Sequence, residues 1–356
     1  MKTAVVLFNL GGPDSLDAVK PFLRNLFGDP AIIAAPTIVR WPLAWFISSR
    51  RAPVARDIYA RIGGRSPILP QTQAQADALQ AVLTARHPDD ATRVFVAMRY
   101  WHPFSDAVAA DIATWAPDRI VLLPLYPQMS TATSQSSIAD WHRAARKSGL
   151  DVPTRSVCCY PIQPGFVAAS VALVRKGMAK AGSGQARLLF SAHGLPEKIV
   201  RGGDPYQTQV EATARAIVAK LDNLDLDWSI CYQSRVGPLK WIGPSTGAEI
   251  ERAARDGKGV VLYPLAFVSE HSETLVELDI EYRELARKVG VSTYVRVSTV
   301  GTAPEFIDGL ADLVDQRLAE SVSSVDRDAS SPTCPVACVR CPMGHDKAAS
   351  LAWSGR

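Results

Sequence analysis

Long uninterrupted apolar runs, strong net charge and a dense cysteine framework are all missing from this 356-residue sequence, and each absence removes a class of function. The most hydrophobic window, residues 31–49, is broken by Pro36, Arg40 and Pro42, which argues against a membrane-spanning helix. The formal charge of +4 is small and, apart from Arg50 and Arg51, scattered; with no DNA- or RNA-binding motif present, nucleic acid is not an expected partner. The opening apolar run ends at Asn9, Gly11, Gly12 and Pro13 without a small-residue cleavage site. It reads as a first strand and turn, not a signal peptide, so a cytoplasmic protein is expected.

What is present is ordinary globular material, 47% hydrophobic and 21% charged, long enough for about two domains. Short apolar or β-branched runs alternate with helical stretches, the pattern of parallel βαβ units. Strands are predicted at 4–8, 94–98, 120–123, 154–158, 187–190, 228–232, 260–263 and 293–296. Helices are predicted at 71–86, 104–115, 136–147, 165–181, 206–221, 246–256, 272–289 and 304–321.

The two halves echo one another. Residues 6–12 (VLFNLGG) resemble 188–194 (LLFSAHG), and 120–125 (IVLLPL) resemble 260–265 (VVLYPL). Between these, a strand followed by a basic residue and a proline turn occurs at Met98 to Pro103 and again at Gln233 to Pro238. Marks in a shared order predict an internal duplication, two similar α/β domains facing each other across a cleft. The expected divisions are 1–155, 156–303 and 304–356, the last a helix, a serine-rich linker and a cysteine cluster.

Chemistry-bearing residues gather at predicted strand ends, where open α/β sheets place their sites. His193 follows the strand run 187–190 and can bind a metal or accept a proton near neutral pH. Beyond the strand at 260–263, Glu273, Glu277 and Glu281 recur every four residues, lining one face of a helix. Like charges at that spacing repel, which suits a face that meets cations. Arg99, Tyr100, Arg235, Lys240 and Trp241 lie in or after intervening strand ends, where cations can take carboxylates and aromatics can cover a flat ring; the set suggests a large, planar, anionic substrate. The window holding Ile32, Ile33, Ile38, Val39, Trp41, Leu43, Trp45, Phe46 and Ile47 suits either a membrane interface, an apolar mouth or a buried core helix. Cys334, Cys338 and Cys341 suit thiolate metal ligation, one ligand short of the usual four. Cys158, Cys159 and Cys231 are candidates for the fourth, as is His345 for zinc, with Cys158 slightly preferred.

Taken together, LGGP at 10–13, RIGGRSPI at 61–68, RYWHP at 99–103, YPQ at 126–128, SAHGLP at 191–196, GGDPY at 202–206, VGP at 236–238, WIGP at 241–244, EHSETL at 270–275 and LDIEY at 278–282 resemble the ferrochelatase family, up to about residue 320. The resemblance implies two Rossmann-like domains with parallel sheets, in the chelatase arrangement, around a porphyrin cleft, with ferrous iron inserted into protoporphyrin IX. It implies catalysis by His193, Glu273 and Glu270; a metal path over His193, Glu273, Glu277 and Glu281; and porphyrin contacts from Arg99, Tyr100, Trp241 and Ile33. It further implies that residues 31–49 form a hydrophobic lip with peripheral membrane contact, and that Cys334, Cys338 and Cys341 carry a [2Fe-2S] cluster. The loop 126–133 has no cysteine where animal members place the internal ligand, which leaves Cys158 as a hypothesis. A chelatase for coproporphyrin, sirohydrochlorin or another metal such as cobalt, and a non-catalytic haem or metal carrier, are the alternatives.

Overall fold

A computed structural model describes residues 1–182, 185–223, 225–235 and 239–319. Four parallel strands, β1 (Lys2–Asn9), β2 (Ala91–Met98), β3 (Arg119–Pro124) and β4 (Thr154–Ser156), form one sheet in the order β2-β1-β3-β4. A second parallel sheet repeats this order as β6-β5-β7-β8, from β5 (Ala186–His193), β6 (Trp228–Gln233), β7 (Gly259–Pro264) and β8 (Tyr294–Arg296). The α/β class and the parallel sheets expected from the sequence are what the chain forms, and the repeated strand order agrees with duplication.

The helices are α1 (Val19–Gly28), α2 (Thr37–Ala60), α3 (Ile68–Arg86), α4 (Ser105–Trp115), α5 (Ser136–Lys147), α6 (Pro164–Ala181), α7 (Glu197–Arg201), α8 (Tyr206–Leu221), α9 (Thr246–Arg255), α10 (Tyr282–Lys288) and α11 (Pro304–Ala319). They cover both faces of each sheet. In β1, Val5 and Leu7 join a core with α3, α6 and α11, while Ala4, Val6 and Phe8 join one with α4 and α5. Alternate residues on a strand face opposite ways, so an all-apolar strand needs both faces covered. Each fully buried Val or Leu adds about 1.5–3 kcal/mol.

Three sequence expectations need correction. The proline matching Pro103 is Pro244, not Pro238: Met98 N–H donates to Pro103 O (2.7 Å) and Tyr232 N–H to Pro244 O (2.9 Å), with α4 and α9 following directly. The second half thus carries an insertion that sequence spacing concealed, and Pro238 itself lies outside the described residues. The predicted helix 272–289 is a π-helix over Glu273–Glu281 continued by α10, and Tyr282 N–H bonds to Glu277 O five residues back. Finally, α11 is no separate extension. Its Phe306, Ile307, Leu310 and Val314 enter the core of the first sheet, and α6 likewise serves both cores through Phe166 and Val174.

Helix α2 went unpredicted because Pro42 and Pro53 sit inside it, each removing a backbone donor. Solvent exposure of its outer face tolerates the freed carbonyls. Among the described residues, no helix is long and apolar enough to cross a membrane.

Polar side chains tie the halves together. Gln75 Nε2 donates to Val268 O and Gly301 O at 2.9 Å while its Oε1 accepts from Ser269 Oγ, and Gln71 accepts from Glu270 N–H. Across the other seam, Gln209 accepts from Met129 N–H, and Asp204 from Ser130 and Thr131. These bonds fix the loops at the carboxyl ends of both sheets relative to each other.

Candidate active site

His193 is the last residue of β5, paired in register with Gln233 at the end of β6. Its Nδ1 lies 2.6 Å from Gly194 O, a carbonyl, so Nδ1–H donates there and Nε2 is the nitrogen turned toward Glu273. Nε2 is 3.8 Å from Glu273 Oε2, with both side chains half-exposed. Gly194 donates to Gln233 O at 2.9 Å, and a Cβ there would meet that oxygen at 2.8 Å and the Trp241 ring at 3.3 Å, so only glycine lets the chain turn this tightly behind the imidazole.

The π-helix supplies the acids. Ser234, just past β6, has a left-handed backbone at φ 58° that aims both N–H and hydroxyl at them. Its N–H donates to Glu277 Oε1 at 2.8 Å; its Oγ lies 3.0 Å from Glu273 Oε2 and 2.5 Å from Glu277 Oε2. One hydroxyl has one proton, so it serves both oxygens best when one carboxyl holds a proton of its own. The electrostatics sort the pair. Burial acts to raise Glu273, but His193, His271 and hydrogen bonds from Ser234 and Gln233 outweigh it and hold the carboxyl below its usual range. Burial and the neighbouring Glu273 charge push Glu277 up, against the bonds from Ser234 and Tyr282. Glu273 is the more readily ionised member and Glu277 the more readily protonated one.

Behind them His271 accepts from Glu273 N–H through Nδ1 at 3.0 Å and so supports the start of the π-helix; burial lowers its pKa, against the nearby acids.

Other expected residues lie elsewhere. Glu270 is in a nearly buried ion pair with Arg296 at 2.6 Å and accepts from Thr299 N–H, so its carboxylate anchors the loop and is not gathered with His193. Glu281, at the far end of the π-helix, turns outward to Arg61 at 3.7 Å. The acid row is therefore divided between partners: Glu273 and Glu277 share Ser234, whereas Glu281 pairs with Arg61. Among the described residues no three His, Cys, Asp or Glu side chains are gathered as a ready-made metal site.

Tyr100 is 1% exposed, and its hydroxyl donates to Asp29 at 2.9 Å; Arg99 pairs with the same carboxylate at 2.8 Å and donates to Ser136. Both hold the junction of α1 and α2, with Asp29 also accepting from Ala31 N–H. Ile33 is half-buried on that junction, and Trp241 is half-buried where its backbone bridges to Pro196 behind His193. The apolar window is neither a core helix nor a span. Ile38 (84%), Val39, Trp41, Trp45 and Phe46 stand exposed on α2.

Of the cysteines, Cys231 is fully buried in the second sheet, where burial pushes its thiol up to about 12. Cys158 is buried and Cys159 half-buried just past β4, whose final residue is Ser156, so the strand closes before them. Cys334, Cys338, Cys341 and His345 lie outside the described residues. Sequence reasoning missed Ser234 and Asp29; the first stands at a strand end, a positional signal, whereas the second had none.

A family model described as ferrochelatase matches residues 2–318. Curated relatives named ferrochelatase include that of Caulobacter vibrioides, 56% identical over 91% of this chain and 92% of its own. Those of Phenylobacterium zucineum (53% identical, 98% of both chains) and Hyphomonas neptunium (49%, 97% of this chain and 96% of its own) match over nearly the full length.

Proposed function

The chain belongs to the ferrochelatase family, an enzyme inserting ferrous iron into a porphyrin in haem biosynthesis, and from this we infer that its porphyrin is protoporphyrin IX and that His193 and Glu273 take the pyrrole protons. Insertion releases two N–H protons as one Fe²⁺ enters the ring, so the site needs a base at the ring face and a route for protons away from it. The observation that carries the reading is the chain of groups His193 Nε2, Glu273, Ser234 and Glu277. His193 offers an unprotonated Nε2 to the ring; the imidazolium formed is stabilised by the ionised Glu273 beside it. Glu277, the more readily protonated acid, is joined to Glu273 through the Ser234 hydroxyl and gives the proton an exit. Imidazole and carboxylate also suit passage of ferrous iron, since neither grips it as thiolate would.

Preference for protoporphyrin IX over the more highly carboxylated coproporphyrin is supported by the exposed apolar face of α2, which leads to the site through Tyr59, whose hydroxyl is 3.4 Å from Ser272. That face, followed by Arg50 and Arg51, fits peripheral contact with a membrane surface on its cytoplasmic side. Initial rates with the two porphyrins under anaerobic ferrous iron test this: a higher kcat/KM for protoporphyrin IX is expected, and the reverse order would overturn the assignment. Partitioning onto lipid vesicles should weaken when Trp41, Trp45 and Phe46 are changed to serine.

A [2Fe-2S] cluster on Cys158, Cys334, Cys338 and Cys341 completes the proposal. The supporting observation is Arg155, which donates to the carbonyls of Arg317 and Leu318 and so ties the end of α11 beside the strand leading to Cys158. Such a cluster would supply one-electron storage; no step of iron insertion runs through it. Visible cluster absorption should vanish in Cys158→Ser and survive in Cys231→Ser and Cys159→Ser. Its survival in Cys158→Ser would remove that ligand.

A further inference from the structure

The C-terminal end of α2 touches the π-helix at both of the latter's ends. Tyr59, 7% exposed and packed with Val19, Phe22 and Leu23, sets its hydroxyl 3.4 Å from Ser272, immediately before Glu273. One half-turn on, Arg61 lies 3.7 Å from Glu281, the last acid of the row. The two contacts differ in kind. The first is buried and hydrogen-bonded. The second is a long ion pair between half-exposed groups, 49% and 47% accessible, and neither side chain has another ion pair among the described residues. An exposed pair of that length is held weakly and is open to competition. A porphyrin carboxylate presents the same chemistry to a guanidinium as Glu281 does, with room to bind it in two-point fashion.

We propose that Arg61 is a positioning residue that exchanges partners during the reaction: a carboxylate of the incoming porphyrin takes Arg61 from Glu281, and Glu281, released, becomes available to the incoming divalent cation. This rests on the reading of the π-helix as the acid side of the insertion site. The buried Tyr59 contact keeps α2 and the π-helix in register while the outer pair exchanges, so no large movement is required. Because the linkage is reciprocal, a cation on Glu281 frees Arg61 for porphyrin by the same factor by which porphyrin favours the cation. The exchange makes filling of the two substrate sites mutually supportive, although one substrate is an anion and the other a metal ion.

The test is a double-mutant cycle on porphyrin binding, read by quenching of tryptophan fluorescence in metal-free buffer with the full chain and protoporphyrin IX as the probe. Glu281→Gln removes the competitor and should tighten porphyrin binding by about two- to fivefold, the range of an exposed ion pair. Arg61→Gln should weaken it, and Glu281→Gln added to Arg61→Gln should give no further gain. Mn²⁺ affinity, followed by electron paramagnetic resonance without porphyrin, should rise in Arg61→Gln and fall in Glu281→Gln. Arg61→Lys, which keeps the charge, should restore most of the porphyrin affinity. A merely structural pair would not tighten a ligand when broken. Equal porphyrin affinity in wild type and Glu281→Gln, with wild type binding porphyrin normally, would overturn the exchange and leave the site reading standing. Failure of the wild type to bind porphyrin would overturn both.

Discussion

Ser234→Ala separates the two acids with the least disturbance to the fold. The substitution deletes the Oγ that lies 3.0 Å from Glu273 and 2.5 Å from Glu277 but keeps the backbone N–H bonded to Glu277 Oε1. A hydrogen bond to a charged group contributes about 1.5–3 kcal/mol. If that stabilisation is needed when the imidazolium forms, kcat/KM falls by about ten- to a hundredfold, since ~1.4 kcal/mol is a factor of ten. Loss of the donor also moves the Glu273 carboxyl upward, because the Ser234 bond is one of the causes holding it down. The acid limb of the kcat/KM profile therefore shifts to higher pH. Ser234→Gly, which suits a φ of 58°, should behave alike, and Ser234→Thr should keep most activity. Anaerobic loss of porphyrin fluorescence with ferrous iron across a pH series measures all three. Wild-type rates and an unmoved acid limb in both Ser234→Ala and Ser234→Gly would refute the relay.

Gln75→Leu removes two donated bonds and one accepted bond at the seam between the halves, and three unpaired buried groups at about 1–3 kcal/mol each make a loss of about 3–9 kcal/mol, read by denaturant unfolding. Gly165→Ala drives a Cβ into the backbone oxygen of Glu305 where α6 meets α11, and should lower stability by ~1–3 kcal/mol or more. His271 has a folded pKa below its ordinary value of about 6.5, so the unfolded chain takes a proton first as pH falls. Its contribution to stability is then lost downward from that ordinary value until the folded pKa is passed, and His271→Asn, which can keep an acceptor for Glu273 N–H, should flatten the unfolding free energy across this window.

Much of the scaffold could be read in advance because local pattern and tertiary role agree. Helices α5 and α8 were predicted to the residue, and the central strands carry apolar runs that only two covered faces explain. What escaped was set by non-local terms. The prolines of α2 argue against a helix on propensity, yet the segment is helical with its apolar face outward. The π-helix has the acid spacing of an α-helix in the sequence, and nothing local in it announces the five-back hydrogen bonds or the separate partners of Glu273 and Glu281. That His193 closes a strand was legible from the apolar run before it, and strand ends are where open α/β sheets place their sites. Arg99 and Tyr100 were legible as residues at such an end but not in their task, since their partner Asp29 lies on a distant junction.

The account stands on His193 Nε2 as the acceptor of pyrrole protons. Porphyrin binding and anaerobic ferrous insertion should be measured side by side in the natural protein and in His193→Ala. Retained porphyrin affinity with insertion abolished is the predicted result; insertion at the natural rate by His193→Ala would contradict it.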